Sequence, residues 1–277
     1  SIWLVGFILF FIFPFIQSVI YSFNKMLIRP GNIEMEYIGW ANYSKAFLED
    51  SQFLPAFTST ISSVIAKTPL IIIFSIFIAS LLNQKFKGRF IIRSVFFLPV
   101  IISSGVVISI INGDAFLNLL MTGERASMMF EANSMQKILY GLGLDPVIVN
   151  YIITTVNQIF NLSWRSGIQI LIFLAGLQSI PLSYYEVAVV EGATGWETFW
   201  KITFPMIAPM ILVNIIYTLI DNFIDVSNPM FKLIQTTTAR IDFAYAATMS
   251  MINFIVIFLL IGFVYAIINK RIYYAVD

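Results

Sequence analysis

The chain has 277 residues, 59% of them hydrophobic and 11% charged, with a mean hydropathy of +0.87; soluble domains carry about 25% charged residues, so this is the composition of an integral membrane protein. A net charge of +1 gives no whole-chain attraction for nucleic acid. The absence of Cys and His removes disulfides, thiolate and imidazole catalysis and Cys/His metal sites, and no G-x-x-x-x-G-K-[ST] loop occurs, Gly88 being followed by Arg89, so any nucleotide belongs to another chain.

A bilayer core of about 30 Å takes about 20 apolar residues per helix. Six stretches reach or approach that length: 2–23, 60–82, 93–112, 157–178, 205–221 and 248–269. The first opens at Ser1 inside an apolar run with neither a basic leader nor a small-residue cleavage pattern, which favours residues upstream of Ser1 over a cleaved signal peptide. The apolar segment 147–160 is expected to lengthen the fourth helix, and the fifth to run a turn past Asp221.

Lys85, Lys87, Arg89, Arg93, Lys201, Lys270 and Arg271 lie in the alternate connections 83–93, 179–205 and 270–277, whereas the same number of cations is spread over the much longer set 24–57, 113–147 and 222–247. Basic residues concentrate on the cytoplasmic side, so the first set and both termini are expected in the cytoplasm and the second set outside. The outer connections are long enough for short helices that receive an extracellular partner or simply cap the spans. No internal repeat of the kind found in inverted-repeat carriers is visible.

The stretch 183–205 is the most informative. Ser183 and Glu186 have S-x-x-E spacing and Thr194 and Glu197 T-x-x-E spacing, each the pattern of a capping box, with Gly192 between them where a helix end needs a left-handed residue. Pro205 then stops or re-aims the second helix. The physics alone leaves two readings open: an interfacial helix pair anchored by Trp196 and Trp200, or a helix, glycine bend and helix that engages a cytoplasmic partner.

Glu186, Ala188, Gly192, Ile202 and Pro205 match in spacing the E-A-A, three residues, G, nine residues, I-x-L-P signature, and the chain here resembles the membrane subunits of binding-protein-dependent ABC importers. Leu174, Ala175, Gly176, Leu177, Gln178, Ser179, Ile180 and Pro181 in succession, and Phe96, Phe97, Leu98 and Pro99, are similar to the carbohydrate branch related to the maltose transporter. The resemblance covers most of the chain from Thr58. Val187 stands at the middle position of E-A-A where Ala is usual, Glu191 replaces the common Asp and Phe204 the usual Leu, and 226–241 lacks the G-G-P turn of many relatives.

The resemblance implies an all-α permease fold of about six transmembrane helices, one domain over 1–277, with a cytoplasmic coupling-helix loop at 179–205. It implies that Glu186, Ala188, Glu191, Gly192, Ile202 and Pro205 contact an ATPase, Glu186 through charge, Ala188 by close packing and Gly192 as the bend. The chain is then a transport subunit and not itself an enzyme. Its expected partners are two ATP-binding subunits that carry ATP and Mg, a second homologous permease, an extracellular solute-binding protein and membrane lipid, in the plasma membrane of a prokaryote.

Polar groups within spans are costly and usually face a bundle interior or a cavity. They are Ser103 and Ser104 after Pro99; Asn161, Trp164, Arg165 and Ser166 in the fourth helix; Asn214, Thr218, Asp221 and Asn222 in the fifth; and Lys67 beside Pro69 in the second. The resemblance implies sugar contacts in the third, fourth and fifth of these helices. Hydroxyls, amides and an aromatic face suit a sugar or oligosaccharide. Interhelical hydrogen bonding, at about 0.6 kcal/mol each, is the simpler reading of any one residue. Lys67 and Arg165 either pair with Asp221 or Asp225 or recognise an acidic, uronate-containing substrate. An ion-coupled secondary carrier for a small polar solute is the rival reading, and a membrane enzyme a more distant one, since no catalytic carboxylate pair stands out.

Overall fold

The computed structural model describes residues 2–29, 32–84, 87–94, 96, 139–143 and 145–268. All but the start of the expected third span, 93–112, lies outside the described residues, as does most of the connection 113–147. The first span is helical as α1 (Ile2–Phe7), a π turn (Ile8–Ile12) and α2 (Phe13–Ser22). There follow β1 (Asn24–Arg29), β2 (Asn32–Tyr37), α3 (Ala41–Ser44) continued by a π turn (Lys45–Glu49), and α4 (Phe53–Asn83). The second half holds α5 (Pro146–Arg165), α6 (Gly167–Ser179), α7 (Leu182–Val190) and α8 (Gly195–Thr198) with a π turn (Phe199–Thr203). It ends with α9 (Phe204–Met206), α10 (Ala208–Ile224), α11 (Pro229–Ala239) and α12 (Phe243–Ile268).

The helical membrane architecture expected from composition is present. Trp3–Ser22, Phe53–Asn83 and Phe243–Ile268 are each long and apolar enough to span, and two bent pairs, Pro146–Arg165 with Gly167–Ser179 and Gly195–Met206 with Ala208–Ile224, qualify together. Three details correct the sequence reading. The fourth span is not one helix over 157–178: it starts at Pro146, as the expected extension requires, but bends by 56° at Ser166. A Ser-Gly pair is a common site for such a break, and Ser166 carries φ −87°, ψ 3° before Gly167. The fifth span breaks by 65° at Ile207, between Pro205 and Pro209, and runs to Ile224, past Asp221 as expected. The connection 24–57 contains an antiparallel β-ribbon, with Asn24 opposite Tyr37 and Leu27 opposite Glu34, in an otherwise helical chain.

The chain forms two compact units, Ser1–Ala66 with Leu219–Phe263 and Lys67–Thr218 with Val264–Asp277. In the first, Ala46, Phe53, Met230, Tyr245, Met249 and Ile252 form a buried core flanked by Tyr43, Phe57 and Leu233. The carbonyl at the end of α2 would be orphaned. Ser22 O instead accepts from Asn42 Nδ2 at 3.2 Å and from Thr248 Oγ1 at 3.1 Å, while Tyr43 donates to the Ser22 hydroxyl at 2.9 Å.

Asp50 joins the starts of two helices. Its Oδ1 accepts from the N–H groups of Gln52 (2.8 Å) and Phe53 (3.3 Å) at α4, and its Oδ2 from the Tyr245 phenol of α12 at 2.6 Å. Burial pushes the Asp50 carboxyl up, but the phenol, both N–H groups and the Lys45 charge outweigh it and hold the carboxyl below its ordinary 3.8. A lowered carboxylate pKa stabilises the fold at neutral pH, and that contribution is lost as pH falls through the lowered value. Tyr245→Phe should therefore destabilise the detergent-solubilised protein by about 1 kcal/mol at neutral pH. The difference from wild type should shrink below the ordinary Asp50 pKa, so thermal unfolding at about pH 7 and about pH 3 tests it.

In the second unit the core is Ile72, Ala79, Leu82, Ile170, Phe173, Leu174, Leu177, Ile180 and Ile207. Gly176 lets α6 approach α10 closely: a Cβ there would stand 2.7 Å from Met210 Cγ. Small residues serve such approaches where lipid removes the hydrophobic drive between helices. Arg93 closes the end of α4, its Nη2 donating to Leu82 O at 2.7 Å, a cation at the negative end of a helix.

α11 ends in a left-handed residue that is not glycine. Ile241 has φ 66°, its N–H donates to Thr238 O at 2.9 Å, and the Asp242 N–H to Thr237 O at 3.3 Å, the two bonds of a Schellman turn. A β-branched residue in this position carries strain of roughly 1–2 kcal/mol.

Candidate functional site

The loop at 182–205 is built by two helix ends. α7 is closed by a Schellman turn: the Gly192 N–H donates to Val189 O at 3.1 Å and the Ala193 N–H to Ala188 O at 2.9 Å. Gly192 sits at φ 72°, where a Cβ would be strained. α8 opens on a complete capping box. Thr194 Oγ1 accepts the Glu197 N–H at 3.3 Å, and Glu197 Oε2 accepts the Thr194 N–H at 3.0 Å. The Thr194 backbone N–H and hydroxyl, with Lys201 at 3.4 Å, hold the Glu197 carboxyl below its ordinary range. The expected Ser183–Glu186 box is not formed. Pro181 occupies the N-cap and α7 starts at Leu182, so Ser183 lies inside the first turn.

Ala188 is buried, Ile202 and Pro205 are half-buried, and Glu186, Glu191 and Gly192 are exposed. Val187, Val189, Val190 and Trp196 are also exposed, Val190 to 87%. Trp196 meets Trp200 edge to face and Trp200 meets Phe204 at a tilt, with ring centroids 5.6 and 5.0 Å apart. The Tyr185 hydroxyl lies 3.2 Å from Thr203 Oγ1, bracing α7 against the π turn. The loop thus presents apolar side chains and two carboxylates around a fixed bend, a surface suited to docking.

Of the span residues, Ser104 lies outside the described residues. Asn161, Trp164 and Arg165 are half-buried on the last turns of α5, and Ser166 is fully buried at the bend. Lys67 is exposed on α4 and Asp221 half-buried on α10. Asn214, Thr218 and Asn222 are buried and repeat every four residues along α10. In the second unit, Gln169 joins two of them: its Nε2 donates to Thr218 Oγ1 at 3.1 Å, and Asn214 Nδ2 donates to the Gln169 carbonyl at 3.4 Å. Gln169 Oε1 and Asn214 Oδ1 are buried without a hydrogen-bond partner, acceptors able to take a hydroxyl or water. Sequence reasoning missed Gln169, although an amide inside the apolar α6 is the same signal that singled out Asn214. In the first unit, the Asn222 carbonyl accepts from Asn228 Nδ2 at 3.0 Å. Among the described residues no cluster of Asp and Glu could hold a metal ion.

Residues 51–276 match the family model described as the binding-protein-dependent transport system inner membrane component. The chain is 32% identical over 225 residues to a probable ABC transporter permease protein of Bacillus subtilis, over 80% of this chain and 68% of that one. It is also 32% identical to a multiple sugar-binding transport system permease of Streptococcus mutans (72% and 63% covered) and to an arabinooligosaccharides transport system permease of Bacillus subtilis (73% and 60%). It therefore spans less than two thirds of the length of these two sugar permeases. A bacterial ABC transporter involved in the import of the acidic polysaccharide alginate superposes with a TM-score of 0.66 at 18% identity, over 96% of this chain and 92% of that one.

Proposed function

We infer the activity from one premise: the chain belongs to the family of binding-protein-dependent transport system inner membrane components. It is the permease subunit of an ABC importer for a sugar or oligosaccharide, the class named for relatives at 32% identity. The ion-coupled carrier is thereby set aside. The observation that carries the mechanism is the loop at 182–205, where a Schellman turn at Gly192 and a capping box at Thr194 hold an exposed apolar and acidic surface.

That surface docks on an ATP-binding subunit, two of which bind ATP and Mg and drive the cycle, beside a second homologous permease. An extracellular solute-binding protein delivers the sugar. ATP moves the access equilibrium only through contacts that differ between the two states, and in this chain Glu186, Glu191 and the exposed valines supply them. The chain sits in a prokaryotic plasma membrane with both termini cytoplasmic. Supporting this topology, Asp50 and Tyr245, and Thr60 and Asn228, are hydrogen-bonded, which brings the connections 24–57 and 222–247 to one side of the bilayer, as their separation by an even number of spans requires. Sugar contacts fall to Ser104, Asn161, Trp164, Ser166, Asn214, Thr218, Asp221 and Asn222, and Lys67 and Arg165 favour an acidic substrate.

The test is to tag this chain, solubilise native membranes gently and identify its companions by mass spectrometry. An ATP-binding subunit and a second permease are expected. The ATPase of that complex with its binding protein is then measured with neutral and uronate oligosaccharides. Recovery of the chain alone, under conditions that keep other membrane complexes intact, would overturn the proposal, and equal stimulation by both sugars would remove the acidic preference.

A further inference from the structure

The first unit contains a cavity of about 530 Å³ lined by, among others, Lys25, Lys45, Glu49, Arg240, Ile241 and Asp242. The transport reading gives none of these residues an individual task. Lys45 is engaged: it lies 3.7 Å from Asp242 and 4.2 Å from the centre of the Tyr245 ring. Lys25 and Arg240 are exposed cations with no ion pair among the described residues, although Glu36 is the register partner of Lys25 across the ribbon. Glu49, on the same cavity, is likewise a carboxylate with no ion pair among the described residues.

The chain fixes the depth of this cavity. Lys25 follows the end of α2 at Ser22 by three residues, and Arg240 to Asp242 immediately precede α12 at Phe243. Both helices belong to apolar spans, so the cavity stands where hydrocarbon gives way to headgroups. Its surroundings have the character of that zone. Trp40 is 69% and Ile241 56% exposed, and Phe23, Trp40 and Tyr43 form an aromatic cluster with centroids 5.0 to 5.4 Å apart, the residue types of an interfacial belt. Ile241 is held in a left-handed conformation that keeps an apolar side chain exposed beside two charges.

We propose that this cavity binds the headgroup of a membrane phospholipid, with Lys25 and Arg240 neutralising the phosphate and Glu49 accepting from the hydroxyl or ammonium of the headgroup. Two cations against one free carboxylate suit a phosphodiester carrying a donor group, and the cavity takes a headgroup without burying its acyl chains. A soluble phosphate offers the same phosphoryl oxygens, but the exposed Ile241 on the lining and the exposed Trp40 next to the lining residue Ala41 add an apolar border that only a lipid uses.

The experiment is native mass spectrometry of the purified transporter complex in detergent, titrated with phosphatidylglycerol. Comparison is made with Lys25→Gln, Arg240→Gln, the double variant, and Lys232→Gln as a control for loss of an exposed cation outside the cavity. Each single cavity variant should weaken retention of one phospholipid per chain by roughly fivefold, the value of one basic residue at a membrane surface, and the double variant by roughly 25-fold, whereas Lys232→Gln should not. Equal retention by wild type and the double variant would overturn the proposal. Displacement of the lipid by millimolar inorganic phosphate or glycerophosphate in wild type would assign the site to a small anion and overturn the lipid reading. Because the assay reads bound lipid rather than uptake, its outcome is independent of which sugar the complex carries.

Discussion

Gly192→Pro is expected to lower sugar uptake by on the order of 100-fold while leaving the chain folded and in the membrane. Gly192 lies at φ 72° and donates its N–H to Val189 O. Proline is locked near φ −65° and has no N–H, so it opposes this bend by about 3 kcal/mol or more, enough to depopulate the docking geometry by about two orders of magnitude. The site is exposed, and a Cβ there would meet nothing within 4 Å, so the damage stays in the loop. Gly192→Ala, strained by about 1 kcal/mol, should retain most uptake. Uptake and co-purification of the ATP-binding subunit measure the effect, and wild-type values for both in Gly192→Pro would remove the loop from the mechanism.

Asn228→Ala is expected to destabilise the solubilised protein by about 2–4 kcal/mol, lowering its unfolding temperature by on the order of 5 to 10 °C. The amide is a four-way junction. Its Oδ1 accepts from the Thr60 hydroxyl at 2.7 Å and from the N–H groups of Met230 and Phe231 at 2.9 and 3.4 Å, capping α11. Its Nδ2 donates to the Asn222 carbonyl at 3.0 Å. Truncation removes the cap and strands a buried hydroxyl and a buried carbonyl where water does not reach. Asn228→Asp keeps the cap acceptor and loses the donor, so it should lie between wild type and Ala. A thermal unfolding series across the three proteins decides the matter, and an unchanged Asn228→Ala would deny the junction its role.

Much of the loop was legible because its chemistry is local. The bend at Gly192 and the Thr194–Glu197 box need only residue types at fixed spacing, and both are present. The matching Ser183–Glu186 pattern failed because the N-cap is Pro181, two residues before Ser183; spacing alone does not say which residue is the cap. The spans were legible as apolar windows, but the bends at Ser166 and Ile207 were not, because a window averages over a break. The Ser166-Gly167 pair and the prolines at 205 and 209 carried that information. The ribbon strands 24–29 and 32–37 were not legible although Pro30 and Gly31 give a turn signal in the sequence, because two six-residue strands leave only a short pattern beside windows of about 20 apolar residues. Gln169 escaped because its meaning depends on Thr218 and Asn214, 49 and 45 residues away, and no local pattern encodes that pairing.

The break at Ile207 has a mechanical side. From Gly195 to Met206 the chain is an almost continuous helical rod, braced along one side by the edge and tilted contacts of the Trp196, Trp200 and Phe204 rings, and at about 1.5 Å per residue it is roughly 18 Å long. It meets α10 at one joint set at 65°, with Pro209 lacking the N–H that would otherwise donate to Pro205 O across the joint and resist rotation there. Such a rod is a lever with its fulcrum at Ile207: a push of about 3 Å at the Gly195 end turns it by roughly 10°. If the loop couples to an ATP-binding subunit as proposed, a small stroke at its Gly195 end would become torque on the helix that carries Asn214 and Thr218.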